Sequence, residues 1–397
     1  MSEKPQKSLP RIAGIDIVRG IAIYLMIQSH TVKGLLYFRD MPSWGINPMH
    51  TLTKLSSPLF IFVFGLTLGV TMLPKAGDGR FPALRNHLWF RALLVLFWYK
   101  VLTVVQYFQT APKQDIIDML LYKKFPDFAE VLDFYSWMLL IIPFIMWAIR
   151  RSPIWVTPLA AALIYWLGIY LRENCDFFGV VPLKAILVEH DGTFVFGLMS
   201  RGPYVLMGLF FGDLISRSPE VTVRRQQVAV MLIALGVMFM GLFLIQNQAQ
   251  LEPILTAMAR NAGKHPPQAF FTQFSLGGAL TITGLCLFIT RCPWILKPFE
   301  ILGRESLACF CTHLIVVFVG LRWALGLKVM KGPPRVTYPQ ALGLTIAVIG
   351  VCIVVALLNH ARKEYKNKKK AEVAAFAKMM QEKEQQALQE LIRCSQN

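Results

Sequence analysis

The chain has 397 residues, of which 55% are hydrophobic and only 16% are charged, and its mean hydropathy is +0.49. A water-soluble globular chain carries about 25% charged residues, so this composition excludes a soluble protein and predicts one that lies in a membrane. The 41 basic residues outnumber the 23 acidic ones, for a formal charge of +18. They lie between apolar runs and form no single patch, so we expect no nucleic acid among the partners.

Ten apolar runs are each long enough to cross a bilayer core. They lack the two-residue alternation of barrel strands, and lipid admits only helices or closed barrels. The sequence therefore predicts an all-α polytopic bundle of about ten transmembrane helices, at residues 12–36, 55–74, 88–110, 129–149, 153–171, 194–215, 228–246, 270–290, 302–323 and 339–360. We predict a transmembrane domain over 1–360 and a basic, helical tail over 361–397.

The distribution of Lys and Arg predicts the orientation of the chain in the membrane. The segments on the side of the termini hold 24 of the 41 basic residues, and the opposite segments with their span edges hold 15. Both termini are therefore expected in the cytoplasm, and the protein in the inner membrane. The basic start of the tail is expected to contact anionic lipid, and a helix that binds a partner is the alternative.

The first span contains ionisable residues, which are costly in lipid and are candidates for function. Asp16 and Arg19 are three residues apart, so they share a helix face and can pair near the inner end; a purely structural ion pair is the alternative. His30 follows Arg19 by eleven residues, about 16 Å along a helix. This spacing predicts His30 in the outer half of the membrane, where it is either functional or simply packed.

A second histidine lies in the ninth span. His313 follows Arg304 by nine residues, about 13.5 Å along a helix, so His30 and His313 are expected within about one turn of the same depth. Cys309 and Cys311 precede His313 at two-residue spacing, but such positions point apart on a helix, and neither a carboxylate nor a second histidine accompanies them. We therefore expect no metal.

Three further residues are candidates for contact with a substrate. Asp133 and Tyr135 lie near the outer end of the fourth span, where aromatic residues often serve only as interfacial anchors. His265 stands in Lys264-His265-Pro266-Pro267 just before the eighth span. The prolines stiffen the start of this helix, and they would also hold His265 towards the mouth of the bundle.

Four motifs in this order resemble the transmembrane acyltransferase superfamily, over about residues 12–323. That group includes the acyltransferase-3 proteins, the periplasmic-glucan succinyltransferases, YeiB-like proteins and the heparan-alpha-glucosaminide N-acetyltransferases. The motifs are Asp16-x2-Arg19-Gly20 with His30, Ser57-Pro58-Leu59-Phe60 with Gly65, Lys264-His265-Pro266-Pro267, and Leu302-Gly303-Arg304 with Ser306-Leu307 and His313. The chain departs from acyltransferase-3 proteins in having no Arg-x-x-Arg element near the third span.

The resemblance implies a membrane acyltransferase that uses acyl-CoA, with acetyl-CoA the expected donor, and His30 and His313 as catalytic residues. It implies that Asp16 and Arg19 shape the donor channel. The CoA phosphates would lie on the cytoplasmic face, where Arg85, Arg91 and Arg304 can bind them. The acceptor would be a hydroxyl or amine of a glycan, a lipid-linked sugar or a small molecule.

A neutral imidazole suits the removal of a proton from such an acceptor, because the thioester is already activated.

Membrane lipids and a second copy of the chain are further expected partners. A transporter or flippase is the alternative, in which His30, His313 and the pair of Asp16 and Arg19 would couple protons or gate the substrate. The absence of a visible internal repeat favours the enzyme.

Overall fold

The computed structural model describes residues 11–395 except 78, 191–192, 194, 219 and 327–335. These residues form fifteen α-helices with short 3-10 and π turns between some of them, and no β-strand. The helices are α1 (Ala13–Leu35), α2 (Ser56–Thr71), α3 (Phe81–Tyr107), α4 (Lys113–Leu120), α5 (Glu130–Arg151), α6 (Val156–Asn174), α7 (Val181–Val188), α8 (Leu198–Ser216), α9 (Val221–Asn247), α10 (Leu251–Ala259), α11 (Ala269–Leu287), α12 (Lys297–Arg304), α13 (Ser306–Ile315), α14 (Arg322–Ala324) and α15 (Tyr338–Ser395).

Seven helices in the described part of the chain are long and apolar enough to cross a membrane. They are Gly45–Thr71, Phe81–Tyr107, Glu130–Arg151, Val221–Ala259, Ala269–Leu287, Ser306–Ala324 and Tyr338–Lys383. The predicted all-α polytopic fold is thereby confirmed. Three more helices of 19 to 23 residues, α1, α6 and α8, coincide with predicted spans. The count of ten spans and the side of the termini stay predictions.

Large apolar side chains remain exposed on the outward faces of several long helices. Phe90 and Phe97 of α3, Trp166 of α6 and Ile245 of α9 are each more than half exposed. A water-soluble protein would bury residues of this size, whereas in a bilayer they contact lipid tails. The polar residues of α1 have the opposite environment, since this helix packs against α2, α11, α12, α13 and α15.

Two glycines let the start of α1 touch α12. A Cβ at Gly20 would lie 1.8 Å from the carbonyl oxygen of Phe299, and one at Gly303 would lie 1.8 Å from that of Asp16. Small residues allow such close helix packing in membranes. The two glycines of the predicted motifs therefore bring the backbone beside Arg19 against the helix that leads into α13.

The predicted span at 302–323 is not one continuous helix. It is broken at Glu305, whose backbone leaves helical geometry between α12 and α13, and a π-helical turn, Val316–Leu321, follows α13. At the C-terminus, by contrast, α15 runs from Tyr338 to Ser395. The predicted division at residue 360 falls inside this helix and stays a prediction, and most of the predicted outer loop at 324–338 lies outside the described residues.

Candidate functional site

At the predicted inner end of the bundle, α1 and α2 enclose a cleft of about 320 Å³. We call it the inner cleft, and its lining comprises Arg11, Ile12, Ile15, Asp16, Arg19, Thr67, Val70 and Thr71. The Nε of Arg11 lies 2.5 Å from Oδ2 of Asp16, and the Arg11 side chain is 56% exposed whereas that of Asp16 is 7% exposed. With two guanidinium groups around one carboxylate, the cleft favours anions.

Arg19 does not pair with Asp16 as closely as the spacing predicts. Its Nη1 lies 4.0 Å from Oδ1 of Asp16, while its Nη2 donates to Oγ of Ser306 at 2.5 Å. The i,i+3 spacing places the side chains of Asp16 and Arg19 on one face of α1, but Oδ2 of Asp16 is already bound by Arg11. The buried hydroxyl at the start of α13 is then the better partner for Arg19.

The other arginines that were predicted to bind acyl-CoA make contacts elsewhere in the structure. Arg85 stacks on the Trp89 ring, with its guanidinium carbon 4.8 Å from the ring centroid. Arg304 pairs with Glu300 one turn earlier in α12, and Arg91 is exposed on α3. None of the three lines the inner cleft.

In the bundle interior the two predicted histidines meet. Nδ1 of His30 lies 2.9 Å from Nε2 of His313, and the rings stack at 5.2 Å between centroids. His313 is fully buried, and His30 is partly buried between the rings of Phe128 and Phe310. The sequence predicted only a similar depth for the two histidines, and the structure adds that they are in contact, 283 residues apart in the chain.

The hydrogen-bond partners of the pair assign its tautomers. Nδ1 of His313 lies 3.1 Å from the carbonyl oxygen of Cys309, which can only accept, so this nitrogen carries the proton. In the neutral ring Nε2 of His313 is then an acceptor, and Nδ1 of His30 donates to it. Nε2 of His30 is left with a lone pair that can take a proton.

Tyr135 packs against α2, whereas Asp133 contacts a different part of the chain. The Tyr135 ring packs on Phe64 at 4.7 Å between centroids, and Tyr135 is within electrostatic range of Arg19. Its hydroxyl is buried, with no hydrogen-bond partner in the described part of the chain. Asp133 of α5 instead accepts from the hydroxyl of Tyr122, in the turn after α4, at 2.7 Å.

At the predicted outer end, five polar residues form what we call the outer cluster. The Nζ atoms of Lys33 and Lys54 donate to Oδ1 of Asn261 at 3.2 and 2.7 Å. Beside them, Nζ of Lys264 donates to Oε1 of Glu130 at 3.1 Å. Lys33 is three residues beyond His30 on α1, so it stands on the same helix face, about 4.5 Å further out.

His265 lies beneath the outer cluster, held by a buried ion pair. Arg201 donates to Glu189 at 3.0 Å, with side chains 2% and 0% exposed, and also to the carbonyl oxygen of Lys264. Nδ1 of His265 is 3.1 Å from the Val195 carbonyl oxygen and 3.3 Å from Oε2 of Glu189. Burial and then Lys264 lower the pKa of His265, which disfavours the imidazolium form. We therefore see His265 as fixing the loop that carries Lys264.

Sequence reasoning missed Lys33, Lys54, His50 and Asn261. Lys54 stands three residues before the Ser57-Pro58 motif, and Lys33 stands one turn after His30. Those two positions were the available signals, but each lysine looks like an ordinary basic residue at the end of a helix or in a loop. Among the described residues no group of three His, Cys, Asp or Glu side chains could hold a metal ion.

The chain was compared with known protein families. Residues 11–247 match the family model described as heparan-alpha-glucosaminide N-acetyltransferase, catalytic. No curated protein matches the chain. The matched segment covers more than half of the 397 residues and includes the inner cleft, His30, Lys33 and Lys54. The protein therefore belongs to the heparan-alpha-glucosaminide N-acetyltransferase catalytic-domain family and is a multi-pass membrane enzyme of the acetyltransferase type.

Proposed function

We propose that the protein transfers an acetyl group from acetyl-CoA, held at the inner cleft, to an acceptor that reaches His30 from the outer cluster. The acceptor group is a hydroxyl or an amine of a glycan, a lipid-linked sugar or a small molecule. The observation that carries this proposal is the 2.9 Å contact between His30 and His313. It orients His30 so that Nε2 can act as a general base.

The donor side of the proposal rests on the inner cleft. A cleft of about 320 Å³ is at the lower end of the range for small-molecule sites. We therefore expect it to hold the thioester arm of the donor, with the nucleotide phosphates at the open mouth near Arg11. Arg19 lies deeper, on Ser306, and would contact the arm or a phosphate by charge-assisted hydrogen bonds.

The proposed reaction is a direct acyl transfer. Nε2 of His30 takes the proton of the acceptor hydroxyl or amine while the acceptor atom attacks the thioester carbonyl carbon. The carbon–sulfur bond of the resulting tetrahedral intermediate then breaks, and the imidazolium of His30 returns the proton to the leaving thiolate. His313 keeps accepting from Nδ1 of His30 throughout, which holds the ring in position and spreads the transient positive charge.

Tyr135 supplies the donor that the developing oxyanion needs. It lies five residues into α5, about 7.5 Å along the helix from Glu130 of the outer cluster, and it is within electrostatic range of Arg19. Its buried hydroxyl has no partner among the described residues, so a carbonyl oxygen of the donor could accept from it. A preorganised donor of this kind stabilises the transition state more than the ground state.

The test measures CoA release from labelled acetyl-CoA by purified protein in detergent, with an extract that contains acceptors. We expect His30→Ala to remain folded and to lower the rate at least about 100-fold, the lower range for a positioned base. Equal rates in wild type and His30→Ala would remove His30 from the mechanism. No release by either, together with proton-coupled flux of a substrate in vesicles, would establish the transport alternative instead.

The orientation of the site in the membrane is part of the proposal. We place the inner cleft in the cytoplasm, where acetyl-CoA is made, and the protein in the inner membrane. Alkaline phosphatase fused after Cys175 should then be active, and the same enzyme fused after Arg217 should be inactive. The reverse pattern would put the inner cleft on the wrong side for the donor.

A further inference from the structure

The outer cluster contains two lysines that share a neutral partner. Both Nζ atoms donate to the same oxygen of Asn261, at 3.2 Å from Lys33 and 2.7 Å from Lys54, so they lie no more than about 6 Å apart. Lys54 is only 5% exposed. Within the described ranges, neither lysine has a carboxylate within 4 Å.

Buried cations are normally paired with carboxylates, because loss of hydration is costly. An amide oxygen offers these lysines a dipole but no opposite charge. The carboxylates nearest to them are those of Glu130 and Asp127, and Glu130 is already paired with Lys264. By formal count the outer cluster therefore has three lysines and one carboxylate, and Lys33 and Lys54 are the two lysines without a carboxylate partner.

A histidine beside the lysines points to a ligand independently. His50 is 1% exposed, and its Nε2 has no hydrogen-bond partner among the residues the structure describes. The ring is close enough to Lys54 and Lys33 to interact electrostatically, and it packs edge-on against Phe38. A buried ring nitrogen without a partner is costly unless a bound group satisfies it.

The backbone around Asn261 fixes the position of the shared oxygen. Its φ of 71° is in the left-handed region, which Asn tolerates better than most residues. The short turn after α10 thereby carries the amide to the lysines. Since Lys33 is about 4.5 Å further out than His30 on the same face of α1, a ligand bound by the lysines would extend to Nε2 of His30.

We propose that Lys33, Lys54 and His50 form a subsite for a phosphate group, and that the acceptor is a phosphorylated sugar whose reactive hydroxyl or amine lies at His30. This inference rests on the proposed function and names its acceptor class. Separate ammonium groups act as point charges around a tetrahedral anion, whereas a planar carboxylate is better matched by the arginine fork. The phosphate can belong to a soluble sugar phosphate or to a lipid-linked sugar.

The experiment measures phosphate binding by the purified full-length protein in detergent. The probes are inorganic phosphate, glucose 1-phosphate and a polyprenyl phosphate, with methyl glucoside as the uncharged control. We expect Lys54→Met and Lys33→Met each to weaken phosphate binding at least about 10-fold, the effect of one lost charge-assisted hydrogen bond. Lys124→Met, a matched control at an exposed lysine paired with Asp115, should bind phosphate like wild type.

Further variants keep the test decisive. Lys54→Arg retains the charge if Lys54→Met fails to fold, and it should restore most of the affinity. His30→Ala should bind phosphate normally, so binding that depends on the lysines supports the subsite even if CoA release shows no transfer. Phosphate affinity that is equal in wild type and both lysine variants would overturn the subsite. Preference for the polyprenyl probe over glucose 1-phosphate assigns the phosphate to a lipid-linked acceptor, and the reverse preference assigns it to a soluble one.

Discussion

The inner cleft and the outer cluster are both positively charged, but they carry that charge differently. In the inner cleft Asp16 lies between Arg11 and Arg19, and Arg11 is 56% exposed. In the outer cluster Lys33 and Lys54 converge on a neutral amide oxygen. Exposed charge next to a carboxylate is stable without a ligand, because water and the ion pair compensate it. Two buried lysines on one amide oxygen have no adjacent opposite charge until an anion binds.

This difference suggests that the two regions along α1 bind different substrates. The inner cleft can exchange a large, flexible donor with the cytoplasm at little cost in free energy. The outer cluster is better suited to select an acceptor, because a ligand without an anion would leave its lysines unpaired. The pair of His30 and His313 lies between the two regions, so each can be perturbed separately.

After removal of His30 itself, the largest effect is expected from breaking the hydrogen bond that orients this base. His313→Phe keeps a planar ring but removes the acceptor for Nδ1 of His30, so His30 loses its fixed tautomer. Turnover with saturating donor should fall about 10- to 100-fold, while the KM for acetyl-CoA stays within about 3-fold. His313 is a positioning residue, so the pH dependence of turnover should also change.

The matched control for this prediction is Cys311→Ala, a buried position on the same helix, two residues before His313, where the side chain points to another side of the helix. It should retain turnover within about 2-fold. If both variants lose the same amount of activity, the loss reflects packing of α13, and the histidine contact has no special role.

A second prediction separates the inner cleft from the exposed basic residues around it. Arg19→Gln should raise the KM for acetyl-CoA about 10- to 50-fold, since it removes a charged donor, and should leave phosphate binding at the outer cluster unchanged. Arg91→Gln, on the exposed face of α3, should change the KM less than about 3-fold. Donor affinity is measured by titration of labelled acetyl-CoA. Equal effects of the two changes would contradict the assignment of the donor arm to this cleft.

How far the sequence predicted these regions differs between them. The charged residues of the inner cleft come from one segment, residues 11–19, where Asp16 and Arg19 already stand out as charges in an apolar run. For the two histidines the sequence predicted a similar depth on two helices, but not that these helices are neighbours or that the rings touch. The outer cluster could not be predicted, because Asn261 comes from a turn more than 200 residues away and its backbone conformation has no apolar periodicity to reveal it.

The same limit applies to the fold. Ten apolar runs predicted the long helices well, since lipid forces backbone hydrogen bonds to close within each segment. The break at Glu305 was not predicted, because the polar stretch Gly303-Arg304-Glu305-Ser306 was counted as the start of the apolar run that follows it. The break depends instead on contacts that form only in the bundle: Glu305 pairs with Lys363 of α15, at 2.6 Å.

A third prediction concerns Tyr135, the proposed hydrogen-bond donor to the oxyanion. Tyr135→Phe should lower turnover about 10-fold and leave the KM for acetyl-CoA nearly unchanged, because the hydroxyl would contact the carbonyl oxygen only as it becomes negative. Tyr204→Phe is a control with a similarly buried tyrosine. Its hydroxyl makes a long hydrogen bond of 3.4 Å to Oγ1 of Thr272 and has no role in the proposed reaction. We therefore expect no change in rate. A rise in the KM for the Tyr135 variant would indicate ground-state binding instead.

The smallest effect tests the charge balance of the outer cluster through stability. Asp127 lies in the loop before α5, and burial, followed by repulsion from Glu130, raises its pKa to about 6. Lys33, Lys264 and Tyr107 also face this carboxyl and oppose the shift. Because the folded-state pKa exceeds the unfolded value of about 3.9, the folded protein holds the proton more tightly. The corresponding stabilisation is complete below pH 4 and is lost as the pH rises through 6.

Asp127→Asn cannot ionise, so its stability should lack this contribution to the pH dependence. We expect the variant to match wild type near pH 4.5 and to be more stable at pH 7.5 by about 2 kcal/mol at most, since the side chain is only partly buried. Thermal unfolding in detergent between pH 4.5 and 7.5 measures the difference, with Asp115→Asn as an exposed control. If Asp127→Asn is instead less stable than wild type at pH 7.5, attraction from Lys33 and Lys264 outweighs burial. The outer cluster would then hold enough internal negative charge to need no anionic ligand.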